Sequence, residues 1–314
     1  MRAPPRLSLA LALTLVGMTG ALASGCGARE TPIEAPAPPP RARNAGEIAW
    51  DIVHARVGAM FYVDRIRNRP IAANIQSLGL FSAFLEGTGL HLEADLERAF
   101  IAAPATDRGD ASIIVAEHRL TNDRVHAVVD MLLAEHRIEG SWINGAAIPM
   151  ARLTARGQTK VLALVEPNFV VMIPEEHAVE VSRFIGTGGF PDPTGPEAVS
   201  ARALEPARTV HLPRVPPFPP TIQSAAATVV LGADGGADIA LEAPSQSPEQ
   251  AAADAAELTR SVDEATSIKV AFVRVRVFKP IPFVAEGDRV KANLHLTSGE
   301  IDTLFGALGT MIPR

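Results

Sequence analysis

Three Glu-His pairs offer metal or acid–base chemistry: Glu117-His118, Glu135-His136 and Glu176-His177, two of them in the near-copies AEHRL and AEHRI. A metal site needs side chains that converge, usually from i, i+4 on a helix or i, i+2 on a strand. Sequence neighbours point apart on either element, and no His-Glu-x-x-His occurs. Solvated helix ends and strand edges account for the pairs better than a shared metal; His136 and Arg137 complement a helix dipole. GADGGAD sets Asp234 and Asp238 around two glycines, but it lacks the bidentate Glu and the glycine position of a calcium loop. GTGGF is followed by PDPTGP, where a phosphate-cradling helix would have to begin. Without Gly-x-Ser-x-Gly there is no nucleophile elbow. The sequence therefore assigns no catalytic, cofactor-binding or metal-ligating residue, and no cofactor.

Arg274, Arg276, Arg289 and Lys291 alternate along two strand-like stretches and predict a basic sheet face. Such a stripe is ordinarily a solvated face; an acidic partner is the second reading. The chain carries 29 basic and 35 acidic residues, a net charge of −6. That balance disfavours nucleic acid as a partner. Two Trp and one Tyr are too few for a stacking platform.

The clearest signal lies at the N-terminus. Arg2 and Arg6 precede the apolar run Leu7–Val16, and no charged residue occurs between Arg6 and Arg29. This is the layout of a secretory signal peptide over residues 1–25, too short and glycine-broken for a spanning helix. It ends Ala23-Ser24-Gly25-Cys26, at the only cysteine of the chain. The four residues resemble the lipobox of bacterial lipoproteins, with Ala23 where that family favours Leu. The resemblance implies cleavage before Cys26, a diacylglyceryl group on its thiol and often an acyl group on the new amine. An ordinary cleaved signal followed by a free thiol, or an uncleaved anchor, ranks behind this reading. Two acyl chains anchor stably, at about 0.8 kcal/mol per buried methylene. An acylated Cys26 also leaves no thiol for disulfides or catalysis. Gly27 after the cysteine is similar to lipoproteins sent to the outer membrane. Loss of Arg2 and Arg6 leaves 27 basic against 35 acidic residues, a net charge of −8, so membrane contact is expected through lipid alone, with an envelope protein as a further possible partner.

Behind these residues the elements follow from periodicity. Residues 26–47 hold five prolines and read as a lipidated N-terminus and extended tether. A stretch of roughly 20 such residues reaches about 60 Å. Residues 48–185 and 221–314 read as two lobes, separated by a 186–220 connector with nine prolines. In lobe one, ARVGAMFYVDRI and ASIIVAEHRL predict strands, and helices are expected from about Pro70 to Gly87, at LEADLERAF and at TNDRVHAVVDMLLAEHR. Asn144-Gly145, Arg156-Gly157 and Pro167-Asn168 divide 139–173 into a four-strand meander, and EEHAVEVSRFI closes the lobe as a helix. In lobe two, a hairpin turns at Asp234-Gly235-Gly236, Ser247 caps a helix, KVAFVRVRVF and DRVKANLHLT are strands, and Thr297 with Glu300 caps a last helix. The expected fold class is α+β, with two lobes that each pack helices on one face of an antiparallel sheet.

Three activities remain. A binding or scaffold module in the cell envelope, anchored in the outer membrane and facing the periplasm, comes first. The alternatives are a carrier of a lipid or other apolar ligand and a hydrolase without a recognisable motif. A carrier requires an apolar cavity of roughly 300 Å³ or more; a scaffold requires an exposed apolar or charged patch.

Overall fold

In the computed structural model the described residues are 43–77, 87–155, 157–187, 189–211, 217–265, 267–270, 273–276 and 280–311. The signal peptide, Cys26 and the tether up to residue 42 lie outside them, as does the 78–86 part of the helix expected up to Gly87. The first described element is helix α1, Ala45–Ile52. The expected tether ran to residue 47, so this start is a correction. Asn44 Oδ1 accepts from the Glu47 amide at 2.9 Å, and Glu47 Oε2 accepts from the Asn44 amide at 3.0 Å. This reciprocal cap satisfies two otherwise orphaned donors.

Among the described residues, twelve strands join in one antiparallel sheet. They are β1 (Val57–Tyr62), β2 (Leu96–Ala103), β3 (Ile113–His118), β4 (Glu139–Trp142), β5 (Met150–Ala155), β6 (Gln158–Val165), β7 (Phe169–Pro174), β8 (Val199–Leu204), β9 (Ser224–Leu231), β10 (Ala237–Pro244), β13 (Val284–Glu286) and β14 (Arg289–Leu296). Their spatial order is β13-β14-β10-β9-β8-β1-β2-β3-β7-β6-β5-β4. Strands β11 (Ser267–Val270) and β12 (Val273–Arg276) form a separate pair. The α+β class is as expected. In place of two separate sheets there is one, because β8, from inside the expected connector, pairs with β1 on one side and β9 on the other. Val199–Leu204 contains no proline, so its amides are free to join both ladders.

Side-chain alternation defines two faces. On the back face, Ile48, Ala49 and Ile52 of α1 and Val181 and Phe184 of the 3-10 helix Glu175–Phe184 bury against Met60, Phe100, Val115 and Val171. Helix α2 (Pro70–Ser77) contributes Ile71 to the front face. There helix α3 (Asn122–Ala134) sets Val125 and Val129 on Leu153, Leu162 and Leu164. Helix α4 (Pro248–Ala265) sets Ala251, Ala255 and Leu258 on Ala243 and Val290. Helix α5 (Ser298–Met311) sets Ile301 on Ala237 and Leu296. Helices therefore cover both faces of the β1–β7 part, where one covered face was expected. LEADLERAF is a single helical turn, Leu92–Asp95, that runs into β2.

Candidate functional site

The strands place two rows of side chains on the front face, running across the sheet at right angles to the chain. One row is Ile101, Ala59, Ala201, Ala227 and Leu241, each directly paired with the next. The other runs Ala103, Val57 and Ala203 to Ala225; Ala243 follows, one residue past the Ala226–Glu242 pair, and meets Val290. Alanine dominates both rows. Each alanine fills far less of the space above the sheet than the valines and isoleucines elsewhere, so the floor is low.

Above it lies an open apolar cavity of about 630 Å³, roofed by Val210, Phe218, Leu258, Val262 and Phe283. Its floor crosses six strands, and at an interstrand spacing of about 4.8 Å it extends roughly 24 Å. The back face beneath is sealed at its centre. Gly58 leaves room for the Trp50 ring, which a Cβ would meet at 2.9 Å, and the Arg202 guanidinium lies 3.8 Å from that ring's centroid. Burial lowers the Arg202 pKa from its ordinary value, with Glu47 opposing the shift. Helix α4 is fixed over the cavity by Asp254, which is 1% exposed. Its carboxylate accepts from Thr221 Oγ1 at 2.6 Å, Ser245 Oγ at 2.5 Å and Gln250 Nε2 at 2.8 Å.

Polar groups meet the cavity at its β2 end, where Thr106, Gly109 and Ser112 line it. Ser112 stands beside Ala103, since Ala102 pairs with Ile113. The half-buried Lys160, on β6 opposite Pro174, reaches back to it. Its Nζ donates to the Ser112 carbonyl at 2.5 Å and to Ser112 Oγ at 2.9 Å. Burial pulls the lysine pKa below its usual value, against the pull of Asp110 and Glu176. Ser112 Oγ in turn donates to the Gly109 carbonyl at 2.7 Å. Its proton points away from the amine, which is not the arrangement of a base-activated nucleophile.

The residues singled out by sequence do not gather here. Cys26 lies outside the described residues. Glu117 and His118 point to opposite faces of β3. Glu117 packs against Arg98 at 3.6 Å, and burial raises its pKa despite that cation. His118 is 2% exposed with Nδ1 3.1 Å from the Leu120 carbonyl. Burial lowers its pKa, and Leu120, Asn122 and Asp95 oppose the shift. Glu135 and His136 end α3, and Glu176 and His177 lie on the 3-10 helix. Among the described residues no three His, Cys, Asp or Glu side chains are placed to hold a metal, and no helix is long and apolar enough to cross a membrane.

The expected basic face is a correction. Arg274 and Arg276 belong to the β11–β12 pair rather than the large sheet, Arg289 donates to Glu242, and Lys291 Nζ lies 2.6 Å from Glu286. The GADGGAD turn closes on itself through Gly232 and Gly236, with Asp234 accepting from the Gly236 amide at 3.0 Å, while Asp238 pairs with His295 at 2.8 Å. The alanine rows and the Ser112–Lys160 contact went unread. The available signal was the alternation of Ala201 with Ala203 and of Ala225 with Ala227, which marks a strand face with little side-chain volume.

No family model matches the chain, and no curated protein matches it in sequence. Among solved structures it is similar to crystal form I of TP0453, with 10% sequence identity and a TM-score of 0.45 over 86% of this chain and 99% of that one.

Proposed function

We propose that this protein is a lipid-anchored carrier of an apolar ligand in the bacterial cell envelope. The supporting observation is the alanine-floored cavity of about 630 Å³, within the roughly 300–1,000 Å³ of small-molecule sites. The lipobox-like Ala23-Ser24-Gly25-Cys26 supports the anchor, and Gly27 supports residence in the outer membrane, facing the periplasm. Anchorage would hold the cavity within a tether's length of a bilayer, where apolar molecules are concentrated.

The test begins with protein purified from membranes in mild detergent, followed by organic extraction and mass spectrometry. A molecule recovered in stoichiometric amount, and lost from an Ala201→Trp variant that still folds, is the expected result. Equal recovery from the filled variant would overturn the carrier reading. The anchor is tested separately: Cys26→Ala should move the protein from the membrane to the soluble fraction, and unchanged partitioning would refute it.

A binding or scaffold role has its own support in Val179 and Ile185, which are 81% and 60% exposed on and beside the 3-10 helix. Replacing both by serine should release any envelope protein held there and leave ligand recovery unchanged.

A further inference from the structure

The cavity differs from a compact apolar pocket in two ways: it is long, and its ends are unlike. One end is built from Val290, Ala243, Phe283 and Leu258 beneath α4; the carboxylate that borders it, Glu242, alternates with Ala243 to the opposite face of β10 and accepts from Arg289. The other end stops at Ser112, where an ammonium arrives from β6. The register explains why these ends lie on one line. Ile114 pairs with Met172, which sets Ser112 level with Pro174, and Pro174 pairs with Lys160. The row of Val290, Ala243, Ala225, Ala203, Val57 and Ala103 thus continues through Ser112 to Lys160.

We infer that the ligand is a single extended hydrocarbon chain bearing an anionic head, with the chain along the alanine rows and the head at Lys160 and Ser112. This rests on the carrier reading. With roughly 24 Å of floor and a volume of about 630 Å³, the cavity accepts a flexible chain lengthwise. At the polar end, Lys160 directs two of its three N–H donors to Ser112, which leaves one donor for a ligand. A carboxylate or phosphate oxygen there gains a charge-assisted hydrogen bond in partly desolvated surroundings. Asp110 and Glu176 lie near enough to act on the lysine charge and oppose the lowering of its pKa by burial. Arg108 is already held by Asp110 at 3.1 Å, and the Arg202 guanidinium, which also borders the cavity, is stacked on Trp50, so Lys160 is the cation left for the head group.

The test compares ligands that differ at one end only. Full-length chain carrying Cys26→Ala is titrated with hexadecanoic acid, hexadecanol and a lysophosphatidic acid of the same chain length, each displacing a fluorescent apolar dye. At least one acid should bind about tenfold or more tightly than the alcohol, the worth of one hydrogen bond to a charged group. Lys160→Met should abolish that preference while dye binding persists, and Lys160→Arg should retain it. The tighter of the two acids tells whether the head is a carboxylate or a phosphate. Equal affinity for acids and alcohol would overturn the head assignment and leave the carrier reading intact. Binding of a rigid polycyclic hydrocarbon in preference to every linear chain would overturn the extended-chain assignment. Failure of the dye and all three chains to bind would defeat the carrier reading itself. The wild-type comparison decides the head assignment even if Lys160→Met fails to fold.

Discussion

At Val171 on β7 and at Ala227 on β9 the backbone does the same thing: each residue sits in an antiparallel ladder with a partner on either side. What stands on that backbone differs. On the back face of β3, β6 and β7, Ile113, Val115, Val161, Val171 and Ile173 are each fully buried, and the space between sheet and helix is filled. On the front face of β8 and β9, Ala201, Ala203, Ala225 and Ala227 leave it open. Helices lie over both regions. Hydrogen bonding and topology make the sheet, and side-chain volume alone decides whether a helix laid on it encloses a core or a cavity.

That contrast can be broken at several points. The largest effect is expected in the packed region, where Ile173→Ala should cost about 2–5 kcal/mol, read from denaturant unfolding. A loss below about 1 kcal/mol would mean that this region is no tighter than the other. Next comes the group that holds the cavity's roof. Asp254→Ala leaves the Thr221, Ser245 and Gln250 donors without their common acceptor and should cost about 2–3 kcal/mol. It should also loosen ligand retention; unchanged stability would show that α4 is held by its apolar contacts alone.

The other face of β3 should betray its burial through pH. Burial lowers the pKa of His118, so the folded protein resists a proton that the unfolded chain takes up. Stability is therefore complete above the ordinary histidine value of about 6.5 and falls as pH drops below it, by at most about 1.4 kcal/mol per unit. His118→Gln should flatten the unfolding free energy over that window, and an unaltered slope would clear His118 of responsibility. The smallest effect on stability belongs to the open region. Ala227→Leu should shift unfolding by less than about 1 kcal/mol, because the added atoms enter empty space rather than a filled core, yet it should abolish uptake of linear chains. A penalty as large as that of Ile173→Ala would show that the trough closes in solution.

Local chemistry was the legible part of this fold. Asn144-Gly145 and Pro167-Asn168 turn where expected, Ser247 caps α4 with its Oγ accepting from Gln250 at 3.2 Å, and Thr297 and Glu300 cap α5. Each of these signals is complete within about four residues. Where distant contacts decide, the reading fails. The acidic, leucine-bearing LEADLERAF has helical periodicity, but Phe100 and Ala102 gain more by filling the back face beside Met60 and Val115, and most of the segment becomes β2. KVAFVRVRVF alternates like one strand, yet it holds only the end of β11 and the whole of β12, which pair with each other. The proline count around 186–220 concealed β8, whose six residues have no local mark beyond alternation. The site was the least visible of all. Alanine carries no chemistry, and a row of alanines becomes meaningful only when six strands from distant stretches of sequence are laid side by side. Lys160 and Ser112 are 48 positions apart and join through an intervening strand.

The position of β8 also governs how this protein can be assembled and dismantled. Its hydrogen bonds tie β1, early in the chain, to β9, much later, so neither half of the sheet has a finished border until both have been synthesised. Cleavage between β7 and β8 would yield one piece ending in an open β1 edge and another ending in an open β8 edge, each a row of unmet amides and carbonyls that recruits stray strands. Cutting there is therefore expected to give aggregating pieces rather than a fragment that folds alone.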